Sequence, residues 1–493
     1  MENLNKGANG KKYSDEILDI CFALHSISSN SYSVLRNILD LPCESTLKNH
    51  FKDRVNYEKS NLIDINKAVN IINDYRKMNG IEDNFDVVLG VDACSFDRLN
   101  SDGKKYSFCF YCQPIHPDLK CFPLHLVPSK NGKASTVIID IMNKLKYILD
   151  SCGVNVIYTC SDGDGGYNEL NENTFEIYKE IALNKGFDEA FDAWIQSCAE
   201  KHISDMLHCL KIARKRLLAG DITLNTDRVD HIINADILES ILLLGPNLKD
   251  KSSIAKMKDF YVIELFNFKN LEKLLENDQL YEMLYCLPYA CWVEASTNLS
   301  LNRTNRIQLL RIAFNILITF YKQNIYGKHL KGVTSYNTKN SIAQIFSDKF
   351  SLIRSMNSIL GLSCILQNYP DVGIDRIGTH VLENFFGNIR YEYENYDSWE
   401  NILSAVSNGQ IRNTIFQNYG INVQIKNRIN VGGIHFYDIN DQNLPFFECT
   451  STSYSCHKVL CKLTNVYPFD PNDNLELLKV QYQYIKKDFL NMI

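Results

Sequence analysis

The sequence predicts an α/β fold, a mixed sheet in a layered arrangement with a small helical unit ahead of it. Three observations carry this reading. The runs "VVLGV" (87–91) and "VNVIYTC" (154–160) are apolar without alternation, the pattern of central strands covered on both faces. Between them, "YSFCFYCQPIHPDLKCFPLHLVP" holds two apolar segments around a Pro-containing turn, which reads as a hairpin. "STVIIDIMNKLKYIL" (135–149) then places its apolar residues at helical spacing. Strand, hairpin, helix and strand in that order belong to a three-layer α/β domain.

Ahead of the sheet, residues 13 to 55 read as three short helices. In "SDEILDICFALHSI", Ser14 is the expected N-cap, and Ile17, Ile20, Cys21 and Leu24 share one face. "SNSYSVLRNIL" places Tyr32, Leu35 and Leu39 at helical spacing. "LPCESTLKNHFKDR" begins its helix after Pro42, with Leu47 and Phe51 facing inward. Such a trio makes a helix-turn-helix unit whose last helix offers Lys48, Asn49, Lys52 and Arg54 to DNA. The acids Asp40, Glu44 and Asp53 dilute that basic face, so a purely structural three-helix unit is the alternative.

Both apolar strands are expected to end in an acid, Asp92 and Asp162. Open α/β sheets gather their functional groups at the carboxyl ends of the strands. Two carboxylates brought close repel unless a cation stands between them, and an oxygen-only set suits Mg²⁺. The stretch "SDGDGGYNEL" (161–170) is then either a solvated turn rich in Gly and Asp or the start of a metal site. Asp164, two residues further out, is the alternative acid. A third ligand is expected from "THVLENFFGNIRYE" (379–392), where Glu383 lies beside an apolar helical face formed by Val381, Leu382, Phe385, Phe386 and Ile389.

The chain has 493 residues, 45% hydrophobic and 22% charged, the composition of an ordinary globular protein with room for several cores. No run approaches the roughly 18 apolar residues that cross a membrane, and the polar start "MENLNKGANGKKYSDE" carries no secretion signal, so neither membrane nor secretion is expected. The 16 Cys are then expected as reduced, mostly buried small hydrophobes. A formal net charge of −6 leaves any DNA contact to local basic clusters. Lys211, Arg214, Lys215 and Arg216 form one such cluster on a helix, with a solvated face as the alternative.

Five segments together resemble the P-element transposases, including the THAP-type transposases of animals. "YSDEILDICFALHSISSNSYSVLRNILDLPCESTLKNHF" is similar to their helix-turn-helix segment. "VVLGVDACSF" and "VIYTCSDGDGGYNEL" resemble their two catalytic strands. "HISDMLHCLKIARKRLL" resembles their Asp-x-x-His-x-x-Lys helix, here Asp205, His208 and Lys211. "VLENFFGNIR" resembles the helix bearing their last acid. The likeness runs in order from about Tyr13 to Asn413.

The resemblance implies a ribonuclease-H-like fold interrupted by a mostly helical insertion. It implies Asp92, Asp162 and Glu383 as ligands of Mg²⁺ or Mn²⁺, and DNA cleavage and strand transfer in the nucleus, with GTP held by the insertion. The implied division is a helix-turn-helix domain at 1–60, the core at 80–219 and 371–425, the insertion at 220–370 and a C-terminal segment at 426–493. The expected partners are transposon-end and target DNA and a further copy of the chain. A catalytically inactive, transposase-derived DNA- or protein-binding factor is the alternative. An unrelated metal-dependent nuclease would share the acids but has no need of the helix-turn-helix.

The chain departs from the family in three places. Ala93 and Cys94 stand where Glu-Met is common, and Gly378, Thr379 and His380 stand where Asn-Gln-Asp is common. An Asp accepts two hydrogen bonds from a guanine edge and His cannot, so GTP binding is expected to be weak. The zinc-binding THAP module has no counterpart here. Cys109, Cys112, His116 and Cys121 approach zinc-knuckle spacing, but residues three apart on a strand point to opposite faces, and zinc is not expected there or at Cys456 and Cys461.

Overall fold

A computed structural model describes residues 11–95, 106–116, 118–129, 136–162, 168–185, 187–196, 202–219, 222–225, 230–233, 235–241, 260–277, 279–298, 301–326, 349–372, 377–378 and 399–420. The architecture is α/β around a mixed five-stranded sheet. The described residues fall into two compact units, one from 1–156 and 380–427, the other from 157–379.

In the first unit, α1 (Asp15–Ile27), α2 (Ser29–Leu39) and α3 (Glu44–Ile63) form the expected helical trio. Ser14 caps α1 by accepting the Ile17 N–H. Asp40 ends α2 in the left-handed region at φ 55°, a conformation that Asp tolerates better than most residues, and the Tyr32 hydroxyl donates to the Pro42 carbonyl at 2.7 Å to fix the turn into α3. The inward faces of α1 and α2 differ from the expected ones. Leu18, Cys21, Phe22 and Ala23 are buried on α1, while Ile17, Ile20 and Leu24 are exposed. On α2 only Tyr32 is buried, and Leu35 and Leu39 are exposed. Leu47 and Phe51 are buried on α3 as expected, with Phe51 stacked on Phe22 at 4.1 Å between ring centroids.

A 3₁₀ turn (Ile65–Lys67), α4 (Ala68–Asn79) and the strands β1 (Phe85–Ser95), β2 (Tyr106–Pro114) and β3 (Phe122–Ser129) follow, then α5 (Thr136–Ser151) and β4 (Val154–Ser161). β1 pairs antiparallel with β2, and β2 with β3, so the hairpin is as expected. Gly90 explains itself in this register. A Cβ there would stand 2.1 Å from Cζ of Tyr111, so only glycine lets that ring lie across the strand.

The second unit continues with α6 (Asn168–Lys185), α7 (Phe187–Gln196), β5 (His202–Ser204) and α8 (Met206–Ala219). β5 pairs parallel with β4, and the strand order is β3-β2-β1-β4-β5. A two-stranded ribbon, β6 (Ile222–Asn225) and β7 (Asp230–Ile233), precedes α9 (Ala235–Ile241), α10 (Phe260–Leu265), α11 (Phe268–Glu276), α12 (Leu280–Thr297), α13 (Arg303–Tyr326) and α14 (Lys349–Asn368). α11 to α14 pack successively, and α14 also lies on β5, α6, α7 and α8. α14, within the expected insertion, thus packs on elements before 220, and these lie in the second unit with it. Gly361 permits that closeness, since a Cβ would meet Cγ2 of Ile203 at 2.0 Å. Arg306, fully buried, donates to the carbonyls of Ala295, Pro370 and Val372 at 2.6 to 2.8 Å and so satisfies the chain as it leaves α14.

The last described helix, α15 (Trp399–Asn418), belongs to the first unit. It packs on α1 and α3, and its Ile411, Ile415 and Phe416 join Leu18, Phe22, Leu47 and Phe51 in one core. No described helix is long and apolar enough to cross a membrane. The described cysteines are free thiols, most of them buried.

Candidate functional site

Asp92 belongs to the first unit and Asp162 to the second, and each is placed by its own strand. Asp92 was expected at a strand end but lies within β1. The ladder with β2 runs on past it through Ala93–Phe108, Cys94–Ser107 and Ser95–Tyr106. It is 7% exposed, opposite Cys109, and its Oδ1 accepts the Ala93 N–H at 2.7 Å. Its strand neighbours Val88, Leu89 and Val91 are almost fully buried.

Asp162 does follow the last residue of its strand, and it is half-buried. A polar ladder holds the end of β4. The buried His202 on β5 lies 2.9 Å from Thr159 Oγ1 through Nδ1 and 2.9 Å from Ser161 Oγ through Nε2. Ser161 Oγ in turn donates to the carbonyl of Asp162 at 3.1 Å. That chain is consistent with Nε2 carrying the imidazole proton and Nδ1 accepting from Thr159. Thr159 and Ser161 are two apart on one strand and share a face, so one imidazole engages both. Asp164, Glu383 and His380 lie outside the described residues. Among the described residues, no three His, Cys, Asp or Glu side chains form a group that could hold a metal ion.

The Asp-x-x-His-x-x-Lys segment is the start of α8. Asp205, 2% exposed, accepts the N–H groups of Leu207 and His208 at 2.8 and 3.3 Å and is thus the helix cap. His208 and Lys211 are half-buried. The basic cluster on this helix is not one exposed patch. Arg214 is 3% exposed, with its guanidinium over the Tyr261 ring at 5.3 Å, whereas Lys215 is exposed.

On α3, Lys48, Asn49 and Lys52 are exposed, with Lys48 ion-paired to Glu44 at 3.6 Å. Arg54 is half-buried and stands apart from them, beside Glu58. Burial pushes the Glu58 carboxyl up to about 7, with Arg54 pulling it down and Asp74 pushing it up. The sequence reading did not find Glu58 or His202. The spacing of Arg54 and Glu58, one helical turn, was a signal for the first, and no local pattern marks the second.

Of the four residues with zinc-knuckle spacing, Cys112 on β2 and Cys121 just before β3 lie near each other. His116 is 62% exposed in its side chain and 3.7 Å from Asp118, while burial first, and Cys121 second, push the buried Cys112 thiol well above its usual value. A scan of protein-family models finds no match to the chain, and a search of curated proteins finds none either.

Proposed function

We propose that this chain is a divalent-metal-dependent DNA-cleaving and strand-transferring enzyme of the P-element transposase type, with Asp92, Asp162 and Glu383 as the metal ligands. The observation that supports it most is Asp92. It is a carboxylate only 7% exposed within a strand, and buried acids are uncommon and cluster at functional sites. Asp162, held at the end of β4 by the Ser161–His202 ladder, fits the same all-oxygen donor set that a hard cation prefers.

The role of the side chains is to hold negative charge at fixed positions and to orient the phosphodiester. A bound ion would polarise a phosphoryl oxygen and activate water or a 3′-hydroxyl. Lys48, Asn49 and Lys52, exposed on α3, would meet the phosphate backbone, and Lys215 on α8 would make a phosphate contact of its own. GTP is expected to bind weakly, because His380 replaces a two-oxygen acceptor.

Binding of Mn²⁺ to the full chain, followed by loss of the free-ion electron paramagnetic resonance signal, tests the ligand set. Saturable binding that weakens at least about 100-fold in Asp92→Asn and in Glu383→Gln is expected, since even partners one shell further out are worth 10–100-fold. Binding that is absent, or indifferent to both substitutions, would favour an inactive DNA- or protein-binding factor.

A further inference from the structure

A cleft of ≈ 610 Å³ opens within the first compact unit. That volume lies in the usual range of small-molecule pockets, roughly 300–1,000 Å³. Four separate segments line it: the second half of α3, one face of α4, the residues around the start of β3, and the polar flank of α15. Part of the lining is apolar, with Ile71, Tyr75 and Phe122 contributing and the last two rings stacked at 3.9 Å.

Charge is arranged around that apolar surface. Arg54, Lys77 and Lys120 come from three different segments, and among the described residues none of them makes an ion pair or a side-chain hydrogen bond. Two acids oppose them. Asp74 is engaged by the Tyr57 hydroxyl, which donates at 3.2 Å. Glu58, raised by burial, is only partly ionised near neutral pH. α15 adds no charge to the cleft, only amides and a hydroxyl. The cleft therefore carries net positive charge over an apolar surface.

We infer that this cleft binds a small organic anion: an aromatic or apolar body carrying a carboxylate or phosphate. The anion answers Arg54, Lys77 and Lys120, and the body covers the apolar lining. An inorganic anion alone would leave the apolar lining wet. This inference makes no use of the metal-binding reading and fails or survives separately from it.

Calorimetric titration of 4-aminobenzoate into the full chain is the test, because that probe carries a carboxylate on an aromatic ring. Acetate and aniline, each lacking part of that set, are the controls. Saturable one-to-one binding is expected, about tenfold or more tighter than either control. Charge-assisted hydrogen bonds being worth about 1.5–3 kcal/mol, Arg54→Gln and Lys120→Gln should each weaken it on the order of 10- to 100-fold. Lys120 is exposed, so its variant keeps the fold if Arg54→Gln does not. No saturable binding at millimolar probe, affinity equal to acetate, or affinity unchanged in the Lys120 variant would overturn the inference.

Discussion

Two late helices complete the two compact units, and they do it with different surfaces. α14 is buried on nearly every side from Leu352 to Leu366, and a helix covered all round belongs inside a core. It seats itself with small groups: Gly361 against Ile203, and Ser358, whose hydroxyl accepts the Ser204 N–H at 3.1 Å and donates back to the Ser204 carbonyl. α15 is two-sided. Ile402, Leu403, Val406, Ile411 and Ile415 are buried, while Asn413, Thr414 and Gln417 line a cleft. An all-round contact leaves no room beside the helix, and a two-sided one leaves a polar wall where a ligand can lie.

The largest expected effect tests whether α15 truly completes the first core. Ile415→Ala should destabilise by about 2–5 kcal/mol, the usual cost of emptying a fully buried aliphatic position. Hydrogen exchange should show the loss in α1 and α3 as well as in α15. Protection lost from α15 alone would mean that the three helices hold themselves together.

Next comes the close seat of α14. In Gly361→Ala the new methyl would meet Ile203, and overpacking of that kind costs about 1–3 kcal/mol in chemical denaturation. Adding Ile203→Ala should recover part of the loss, and a strictly additive double variant would contradict the contact. Ser358→Ala should cost a similar or smaller amount, about 1–3 kcal/mol, because both polar groups of Ser204 lose their buried partner.

A pH-dependent effect concerns α3, on the wall of the same cleft. Glu58 has a folded-state pKa of about 7 against an ordinary 4.5, so between those values the folded chain holds a proton that the unfolded chain releases. Stability of the first unit should therefore fall as pH rises from about 4.5 to about 7. Glu58→Gln should flatten that slope in pH-dependent melting. An unchanged slope would show that Glu58 is not held by burial.

Much of the element order was legible, because apolar runs and helical spacing are local properties. The faces of α1 were not. "ILDICFALHSI" is apolar on most of its circumference, and the choice of Leu18 and Phe22 over Ile17 and Ile20 depends on α15, a partner far away in sequence. The end of β1 was misjudged for a similar reason, since β2 carries the ladder past Asp92 to Ser95. "ARKRLL" read as a basic patch, but Arg214 is covered by Tyr261 from another helix. Asp92 and Asp162 could be picked out as acids closing apolar runs. The cleft could not, because its lining comes from four stretches of chain with no common pattern.

The central claim is that three acids make this chain a metal-dependent DNA-cleaving enzyme. Nicking of supercoiled plasmid by the purified full chain, with Mn²⁺ or Mg²⁺ and with chelator, tests it most directly, run beside Asp92→Asn, Asp162→Asn and Glu383→Gln. The account predicts strand cleavage that requires the ion and falls at least about 100-fold in each variant, as loss of a metal ligand should cause. Cleavage that persists in the chelator, or that survives all three substitutions, would contradict it.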